Sequence, residues 1–326
     1  MDMKSLKVVW SALFDQIGEY DRRLRKAAHH RVWFMPLYHR ILNDDEADPF
    51  DFGLGVRKRH FDQHLAFYRK HFHVCTVSEG LQIYDSGDWP DKPLLSVTFD
   101  DGYLDNIDLA LPLLEQHDCK ASFFICTGPI SDSHPFWWDV VIASATKRHE
   151  DHWQSLRTAF DVQTENKADI ELRNILGRLW DLSYDQIQPL VDLDRARQAN
   201  LDKLCPALMD RHHVKHLVTC GMEVAAHTHH HPNLTKETDL VIEEEIIRSK
   251  QLLEDWTGGS VQGFATPHGF VDERVKAICT KQNITYIAST DRGSNQPLVP
   301  YHLARFGVAD AALPTLKRSL TGSIDL

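Results

Sequence analysis

Two adjacent carboxylates, Asp100 and Asp101, stand where an apolar stretch of the sequence ends, within residues 98–103 (TFDDGY). The stretch 94–99 predicts a buried strand, and neighbouring side chains on an extended backbone point in different directions. Asp100 and Asp101 therefore have to perform different tasks if both serve one site. Asp-Asp-Gly is also a common turn sequence, so the pair indicates a functional site only if a second set of reactive residues accompanies it.

A histidine cluster at residues 227–231 (HTHHH) supplies that second set, because His227 and His231 are four residues apart and can face one metal ion. The chain has 20 histidines, and two other pairs share this spacing: His60/His64 and His212/His216. Solvent can satisfy the first pair on its predicted helix, and the second lies in a polar stretch without a carboxylate pair. Only His227/His231 follows a predicted strand, as Asp101 does. Two histidines and a carboxylate form the ligand set of a hydrolytic metal site.

The elements that must position these residues alternate between strands and helices. Apolar stretches predict strands over 31–38, 94–99, 121–126, 224–226, 261–265 and 284–288. Helical spacing predicts helices over 56–72, 105–117, 238–256 and 271–281. This alternation favours an α/β fold of parallel βα units, which keep their sites at the carboxyl ends of strands. The strand 31–38 runs into His39, which places that imidazole at a strand end as well.

The sequence predicts one large domain with an N-terminal helix and a helical insertion. Residues 1–30 predict an amphipathic helix that docks on the protein, with a membrane-surface anchor as the less favoured alternative. Residues 31–326 form the single barrel-like domain in this interpretation. The stretch from about 139 to 219 is polar, poor in strands and helical in pattern, so we expect a helical insertion that packs on the barrel.

Composition excludes several functions. The 326 residues carry 36 Lys and Arg against 47 Asp and Glu, and a net charge of −11 repels nucleic acid. Six cysteines without a C-x-x-C pair predict buried thiols and neither a zinc ribbon nor a disulfide framework. Neither a secretory signal nor an 18-residue apolar run is visible, so we expect a cytoplasmic protein without a transmembrane segment. The sequence leaves the oligomeric state open.

With residues 264–269 (FATPHG), the two motifs resemble the polysaccharide deacetylase family, the NodB-homology enzymes of carbohydrate esterase family four. Residues 38–41 (YHRI), 136–139 (FWWD) and 290–293 (TDRG) are similar to members found with bacterial surface-polysaccharide loci. The resemblance runs from about residue 33 to 310. It implies a distorted parallel (β/α) barrel.

The resemblance also implies a role for each motif residue. Asp101, His227 and His231 would hold a divalent cation, which is usually zinc in this family. Asp100 would be the general base that takes a proton from the attacking water, and the backbone N–H of His268 would stabilise the oxyanion. The chemistry agrees with this division, because a Lewis acid lowers the pKa of bound water to about 7 and an unligated carboxylate can then accept its proton.

Two features depart from the family's pattern. The motif that is commonly R-x-P reads Ala-Thr-Pro at residues 265–267, so the arginine that pairs with the base is absent there, and Arg292 or Arg40 could replace it. The L-x-H motif near the C-terminus, which carries the general acid, is also absent. His39 resembles the histidine of members with a circularly permuted motif order, so we predict His39 as the general acid, with His302 as the alternative.

The substrate that the resemblance implies is a carbohydrate, an N-acetylated amino sugar of a surface polysaccharide or its precursor. Two alternatives stay open: hydrolysis of a formamide or O-acetyl group, and a carbohydrate-binding relative that has lost turnover. The absent arginine supports the second alternative, and the retained Asp100 opposes it. Candidate substrate contacts are Tyr103 as a groove wall, Arg292, and the pair Trp137 and Trp138, which is also typical of a core.

Overall fold

A computed structural model of the protein describes residues 18–29, 31–46, 54–146, 150–162, 168–191, 201–291, 293–295 and 298–322. The strands of these residues are β1 Trp33–Phe34, β2 Pro36–Tyr38, β3 Arg40–Leu42, β4 Gly55–Arg57, β5 His73–Val74, β6 Leu94–Leu95, β7 Val97–Asp101, β8 Ala121–Ile125, β9 Glu223–Ala226, β10 Gly263–Ala265, β11 Tyr286–Ala288 and β12 Phe306–Gly307. The helices are α1 Glu19–His29, α2 Lys58–His71, α3 Val77–Ser86, α4 Leu111–Gln116, α5 Thr127–Asp132, α6 Trp137–Thr146, α7 Glu150–Ala159, α8 Ala168–Trp180, α9 Tyr184–Val191, α10 Arg211–Thr219, α11 Asp239–Thr257, α12 Glu273–Lys281 and α13 Leu313–Gly322. A π-helical turn, Asn106–Ala110, precedes α4, and 3-10 turns cover Leu201–Leu204, Leu234–Lys236 and Pro267–Gly269.

Seven strands form one parallel sheet in the order β11-β10-β9-β8-β7-β2-β12. All residues of β7 and β8 are buried, as strands covered on both faces require. The sheet curls until its edges meet: the Leu303 N–H, just before β12, donates to the Ile287 carbonyl in β11 at 2.8 Å, and the Ser289 N–H donates back to the Leu303 carbonyl at 2.8 Å. The predicted α/β fold with a distorted parallel barrel is confirmed.

Two smaller sheets, β1-β6-β5 and β3-β4, adjoin the barrel. The stretches 31–38 and 94–99, each predicted as a single strand, are both divided between sheets, because β1 pairs with β6 while β2 pairs with β7. The division falls at Met35 and Ser96. There the Ser96 N–H donates to the Phe34 carbonyl at 2.9 Å, and Trp33 Nε1 donates to Ser96 Oγ at 3.0 Å.

Helices α6 to α9 have an apolar cluster of their own, which includes Trp137, Leu156, Leu176 and Ile187. The last helix of the stretch predicted as an insertion behaves differently, since α10 buries Val214 and Leu217 in the main core under the sheet. Helix α10 therefore belongs to the barrel, and the insertion ends before α10 and not after it, where the sequence had predicted its end. The proposed division of the chain into domains stays a prediction.

Helix α1 is the described part of the predicted N-terminal helix, and residues 1–17 lie outside the described residues. It buries Tyr20, Leu24 and Ala27 and packs against α13. No helix within the described ranges combines the length and the apolar character needed to cross a membrane.

The six cysteines are all free thiols. Four are buried, whereas Cys205 and Cys220 are partly exposed, so the prediction of buried thiols is wrong for these two.

Candidate active site

Five of the predicted site residues lie at or just beyond the carboxyl ends of strands in the main sheet. Asp100 and Asp101 end β7, His227 follows β9, His268 lies just beyond β10, and His39 follows β2. Parallel strands present their carboxyl ends at one rim of a barrel, so the fold gathers residues that are far apart in the sequence.

Asp101, His227 and His231 converge on one point. Asp101 Oδ1 lies 3.6 Å from Nε2 of His227 and 3.6 Å from Nε2 of His231. All three side chains are buried, and one ligand atom from each lies within 4.8 Å of the others. Metal–ligand bonds of about 2.0–2.2 Å place two ligand atoms roughly 3–4 Å apart, so this spacing suits three ligands of one ion.

The His227 imidazole is oriented by the backbone of β10. Its Nδ1 donates to the Ala265 carbonyl at 2.8 Å, which leaves the Nε2 lone pair directed at Asp101. Burial lowers the pKa of His227, against the opposing charge of Asp100, and so favours the neutral ring. A neutral imidazole with one nitrogen fixed by a carbonyl is the form that ligates a metal.

The backbone at the site is strained. Four of its non-glycine residues have left-handed φ angles: Asp101 at 78°, Thr228 at 64°, His231 at 60° and His268 at 59°. Each such conformation costs of order 1–3 kcal/mol and persists only where the surroundings enforce it. In the loop 227–231, the buried Glu245 carboxylate enforces the backbone conformation. It accepts hydrogen bonds from the backbone N–H groups of His229 and His230 at 2.8 and 2.7 Å.

The three converging residues fit a divalent cation. Among the described residues, Asp101 Oδ1 is buried without a hydrogen-bond partner. Burial raises the pKa of Asp101, and the neighbouring charges of Asp100 and Asp139 raise it further. A buried carboxylate in acidic surroundings needs a counter-charge, which a bound cation supplies.

Asp100 is held by Arg305, which the sequence analysis did not single out. Arg305 Nη1 donates to Asp100 Oδ1 at 2.6 Å and Nη2 donates to Oδ2 at 2.8 Å, while Nε donates to the Ser289 carbonyl at 3.0 Å. Both charged side chains are buried. Burial acts to raise the pKa of Asp100, but the charge of Arg305 and its hydrogen bonds to the carboxylate bring the pKa below its ordinary value. Asp100 is therefore an ionised acceptor beside the candidate metal ligands.

Arg305 occupies the position that we expected Arg40 or Arg292 to fill. Arg40 Nε donates to Asp105 Oδ2 at 2.9 Å, so its charge is already paired and ties β3 to the π-helical turn. The prediction for Arg40 is wrong for that reason. Arg292, also predicted to bind substrate, lies outside the described residues.

His39 lies near enough to Asp100 and Arg305 for their charges to act on its imidazole. Desolvation lowers the pKa of His39 to about 4, with Asp100 opposing and Arg305 reinforcing the shift. Its backbone carbonyl accepts a hydrogen bond from Asn106 Nδ2 at 2.9 Å, which fixes the end of β2. The fold thus brings His39 to the site, and its role as the acid stays a prediction.

The alternative acid, His302, is placed differently. Its Nε2 pairs with the carboxylate of Asp291, and more than a third of its side chain is exposed. This is a surface hydrogen bond on the segment between β11 and β12.

His268 follows the motif proline in the 3-10 turn, and its ring lies 5.1 Å from that of His231 between centroids. Burial lowers the pKa of His268 to about 4, and His227 adds to the shift. Its left-handed backbone turns the chain at the rim. The use of its N–H for an oxyanion stays a prediction.

Three predicted substrate contacts are largely inaccessible. Tyr103 is fully buried, and its hydroxyl donates to Asp139 Oδ2 and accepts from Trp138 Nε1, each at 3.0 Å. A fully buried side chain offers no surface to a substrate, so a groove wall at Tyr103 does not fit the structure. Trp137 and Trp138 are also buried, although the Trp138 ring lies 4.6 Å from that of His231.

Trp180, at the end of α8, is an exposed aromatic residue near the site that no sequence motif marks. Its side chain is 39% exposed, and its ring lies 6.0 Å from that of His268. Trp180 and Trp138 line a cavity of about 350 Å³ together with Leu54, Ile142, Arg173 and Leu176. The helical insertion therefore contributes an apolar wall next to the candidate metal ligands.

The two other histidine pairs lie elsewhere. His64 is fully buried and not solvated as we expected: its Nδ1 accepts from the Tyr38 hydroxyl at 3.1 Å and its Nε2 donates to the Ala311 carbonyl at 3.0 Å. His60 Nδ1 bonds Asp310 at 2.6 Å. His212 and His216 lie on α10.

A parallel barrel with a His-His-Asp cluster beside an ion-paired carboxylate has the architecture of a barrel hydrolase. The profile of one family, polysaccharide deacetylase, matches residues 88–287, which is more than half of the chain. The chain belongs to the polysaccharide deacetylase family.

Solved structures with a similar fold include the Streptococcus pyogenes deacetylase PplD in complex with acetate, at a TM-score of 0.62 and 17% identity over 90% of this chain and 99% of that one. IcaB from Ammonifex degensii matches at a TM-score of 0.57 and 17% identity over 90% of this chain and 96% of that one. At these identities the likeness shows the fold.

A curated relative is YxkH of Bacillus subtilis (strain 168), which carries the name of a polysaccharide deacetylase. It is 29% identical over 82 residues, 25% of this chain and 29% of that protein. The match therefore spans less than a third of the relative's length.

Proposed function

We propose that the protein is a metal-dependent hydrolase that removes the N-acetyl group from an amino sugar of a surface polysaccharide or its precursor. The observation that carries the proposal is the convergence of Asp101, His227 and His231 beside Asp100, in a chain of the polysaccharide deacetylase family. The buried Arg305–Asp100 pair supports turnover, because it restores the arginine whose absence from the motif favoured a non-catalytic relative.

Asp101, His227 and His231 would hold the cation, which supplies Lewis acidity toward water and the acetamide carbonyl. Asp100 accepts the proton of the attacking water, since Arg305 keeps its carboxylate ionised and fixed in direction. Water oxygen adds to the acetyl carbon, the C–N bond breaks, and the nitrogen leaves with a proton as the free amine. The products are acetate and the deacetylated sugar.

The leaving amine needs a proton donor, and we assign this task to His39. With a pKa of about 4 its imidazole is neutral at pH 7, so His39 can donate only a proton that it takes up within the same turnover. The proton that Asp100 accepts from the attacking water is the proposed source. The backbone N–H of His268 completes the proposal as an oxyanion donor.

Trp180 is the proposed contact for the sugar ring, in place of the buried Tyr103. A partly exposed indole stacks on the apolar face of a pyranose while the hydroxyl groups stay solvated. Its position beside His268 and over the 350 Å³ cavity would hold the ring next to the reacting acetamide.

Release of acetate from N-acetylglucosamine oligosaccharides, with and without a chelator, tests the proposal. We expect acetate that disappears with the chelator and returns with added zinc. Formate or O-acetyl release from matched substrates, with intact N-acetyl groups, would favour the alternative hydrolase. Binding of the oligosaccharide without any product would favour a carbohydrate-binding relative. The expected cytoplasmic location is a separate proposal, and cell fractionation would test it.

A further inference from the structure

A second cluster of ligand-type side chains lies on the same loop as the candidate metal ligands but uses different residues. It consists of Asp132, His229 and His230, and one ligand atom from each lies within 4.8 Å of the others. His229 and His230 belong to the loop 227–231, whereas Asp132 is the last residue of α5. The site proposed above uses none of the three.

His229 is fully buried, and nearly all of its polar groups have partners. Its backbone N–H donates to Glu245 Oε2 at 2.8 Å, and its carbonyl accepts the Gly128 N–H at 2.6 Å and the Cys126 thiol at 3.0 Å. Its Nδ1 bonds Thr127 Oγ1 at 2.8 Å. Of the polar atoms of His229, only Nε2 has no hydrogen-bond partner among the described residues. A buried polar atom without a partner is costly, so this nitrogen is expected to bind something.

His230 is held in the manner of a metal ligand. Its Nδ1 bonds Glu245 Oε1 at 2.6 Å, and its ring stacks on Tyr184 with 4.9 Å between centroids. A carboxylate on one imidazole nitrogen fixes the tautomer and raises the basicity of the other nitrogen, as in carboxylate–histidine–metal triads. Nε2 of His230 is thereby prepared as a lone-pair donor.

We propose that Nε2 of His229, Nε2 of His230 and the Asp132 carboxylate bind a second divalent transition-metal ion. Two imidazoles with one carboxylate favour zinc or a similar ion over magnesium or calcium, which prefer oxygen ligands. Asp132 is exposed, so water can complete a four-coordinate site. The ion would tie the end of α5 to the loop that carries His227 and His231, and so would stabilise the strained backbone of that loop.

Titration of the metal-stripped protein with Zn²⁺, followed by calorimetry and by metal analysis after gel filtration, tests the inference. We expect about two equivalents per chain in the wild type. Asp132→Asn is isosteric and exposed, so it should fold normally and bind one equivalent fewer. Glu245→Gln keeps all three ligands and should weaken the second binding event by roughly 10- to 100-fold. His216→Ala, a matched histidine variant on α10, should bind as the wild type does.

Asp101→Asn separates this inference from the proposed active site. Loss of one equivalent in Asp101→Asn and of a different one in Asp132→Asn supports both sites. A single equivalent that is lost in Asp132→Asn but kept in Asp101→Asn supports the second site and contradicts the first. A wild type that binds only one equivalent, which Asp132→Asn retains, overturns the inference and leaves the proposed function standing.

Discussion

Asp100 and Asp101 are neighbours in the chain, yet their carboxylates have opposite electrostatic surroundings. Asp100 has a bidentate, buried partner in Arg305, whereas Asp101 Oδ1 faces two imidazole nitrogens and has no hydrogen-bond partner within the described residues. The pKa of Asp100 is accordingly lowered and that of Asp101 raised. The left-handed φ of 78° at Asp101 turns the strand end and helps the two side chains to diverge.

Removal of the Arg305 charge should destabilise the fold. Arg305→Met leaves Asp100 as a buried, unpaired carboxylate, and breaking such a pair costs about 3–5 kcal/mol. Urea unfolding should show this loss in the free energy of unfolding. The double variant Arg305→Met/Asp100→Asn should recover much of it, because the charge is gone. A single variant as stable as the wild type would contradict the pairing.

The identity of the general acid is decided by a pair of histidine variants. His39→Ala should lower kcat by about 10²–10⁴, the usual effect of a lost proton donor, while leaving metal content intact. His302→Ala should change kcat little, because His302 pairs with Asp291 at the surface. Steady-state kinetics of an active His39→Ala enzyme beside an inactive His302→Ala one would reverse the assignment.

Among the individual site residues, those that belong to compact motifs could be identified from the sequence. Asp100, Asp101, His227 and His231 lie at strand ends where spacing and chemistry mark them. Arg305 is 205 positions from its partner, so no local pattern connects the two. One feature of the sequence could have identified Arg305: it lies inside the apolar stretch 303–308, where a buried charge needs a counter-ion.

Helical spacing in the insertion predicts that helices form but not which face reaches the site. Helix α8 ends with Trp180 at the rim, and Asn233 Nδ2, from the segment after the histidine cluster, donates to the Trp180 carbonyl at 2.9 Å. Two elements more than fifty residues apart are thus joined beside the candidate ligands. Contacts of this kind depend on tertiary packing, which is why the sequence favoured Tyr103 instead.

Truncation of Trp180 should affect substrate binding more than chemistry. Trp180→Ala is expected to raise KM several-fold to tenfold with little change in kcat, since aromatic stacking contributes about 0.5–1.5 kcal/mol. Trp180→Phe should retain most of the affinity. Leu240→Ala removes a comparably apolar, 79% exposed side chain on α11 and serves as the control. Unchanged KM in Trp180→Ala would exclude the stacking role.

For the molecule as a whole, the alternation of strands and helices was enough to predict an α/β fold of parallel βα units, and the family resemblance implied that these units close into a barrel. The division of the first strands between two sheets was not predictable. The residues of β1 and β2 form one continuous apolar stretch of sequence, and so do those of β6 and β7. The bend between them is set by pairing partners, and the sequence does not specify those locally.

Buried neutral histidines should make the fold sensitive to acid. Burial lowers the pKa of His64 to about 4 from a model-peptide value of 6.5, so the unfolded state binds its proton first as the pH falls. The free energy of unfolding therefore falls as the pH drops from 6.5 to 4. His64 alone should lower it by about 2 kcal/mol between pH 7 and pH 5. Denaturant unfolding of His64→Gln should show a shallower pH slope than the wild type. An equal slope in both would contradict this origin.

Asp100 and Asp101 perform different tasks in the proposed site, and two isosteric variants distinguish these tasks when metal content is measured together with acetate release from N-acetylglucosamine oligosaccharides. His60→Ala and His212→Ala are controls that should retain both metal and activity. We expect Asp101→Asn to lose the active-site metal and turnover together. Asp100→Asn should keep the metal and lose about 10²–10⁴ in rate. An Asp100→Asn protein without metal, or an Asp101→Asn protein with full metal content and activity, would contradict this assignment of tasks.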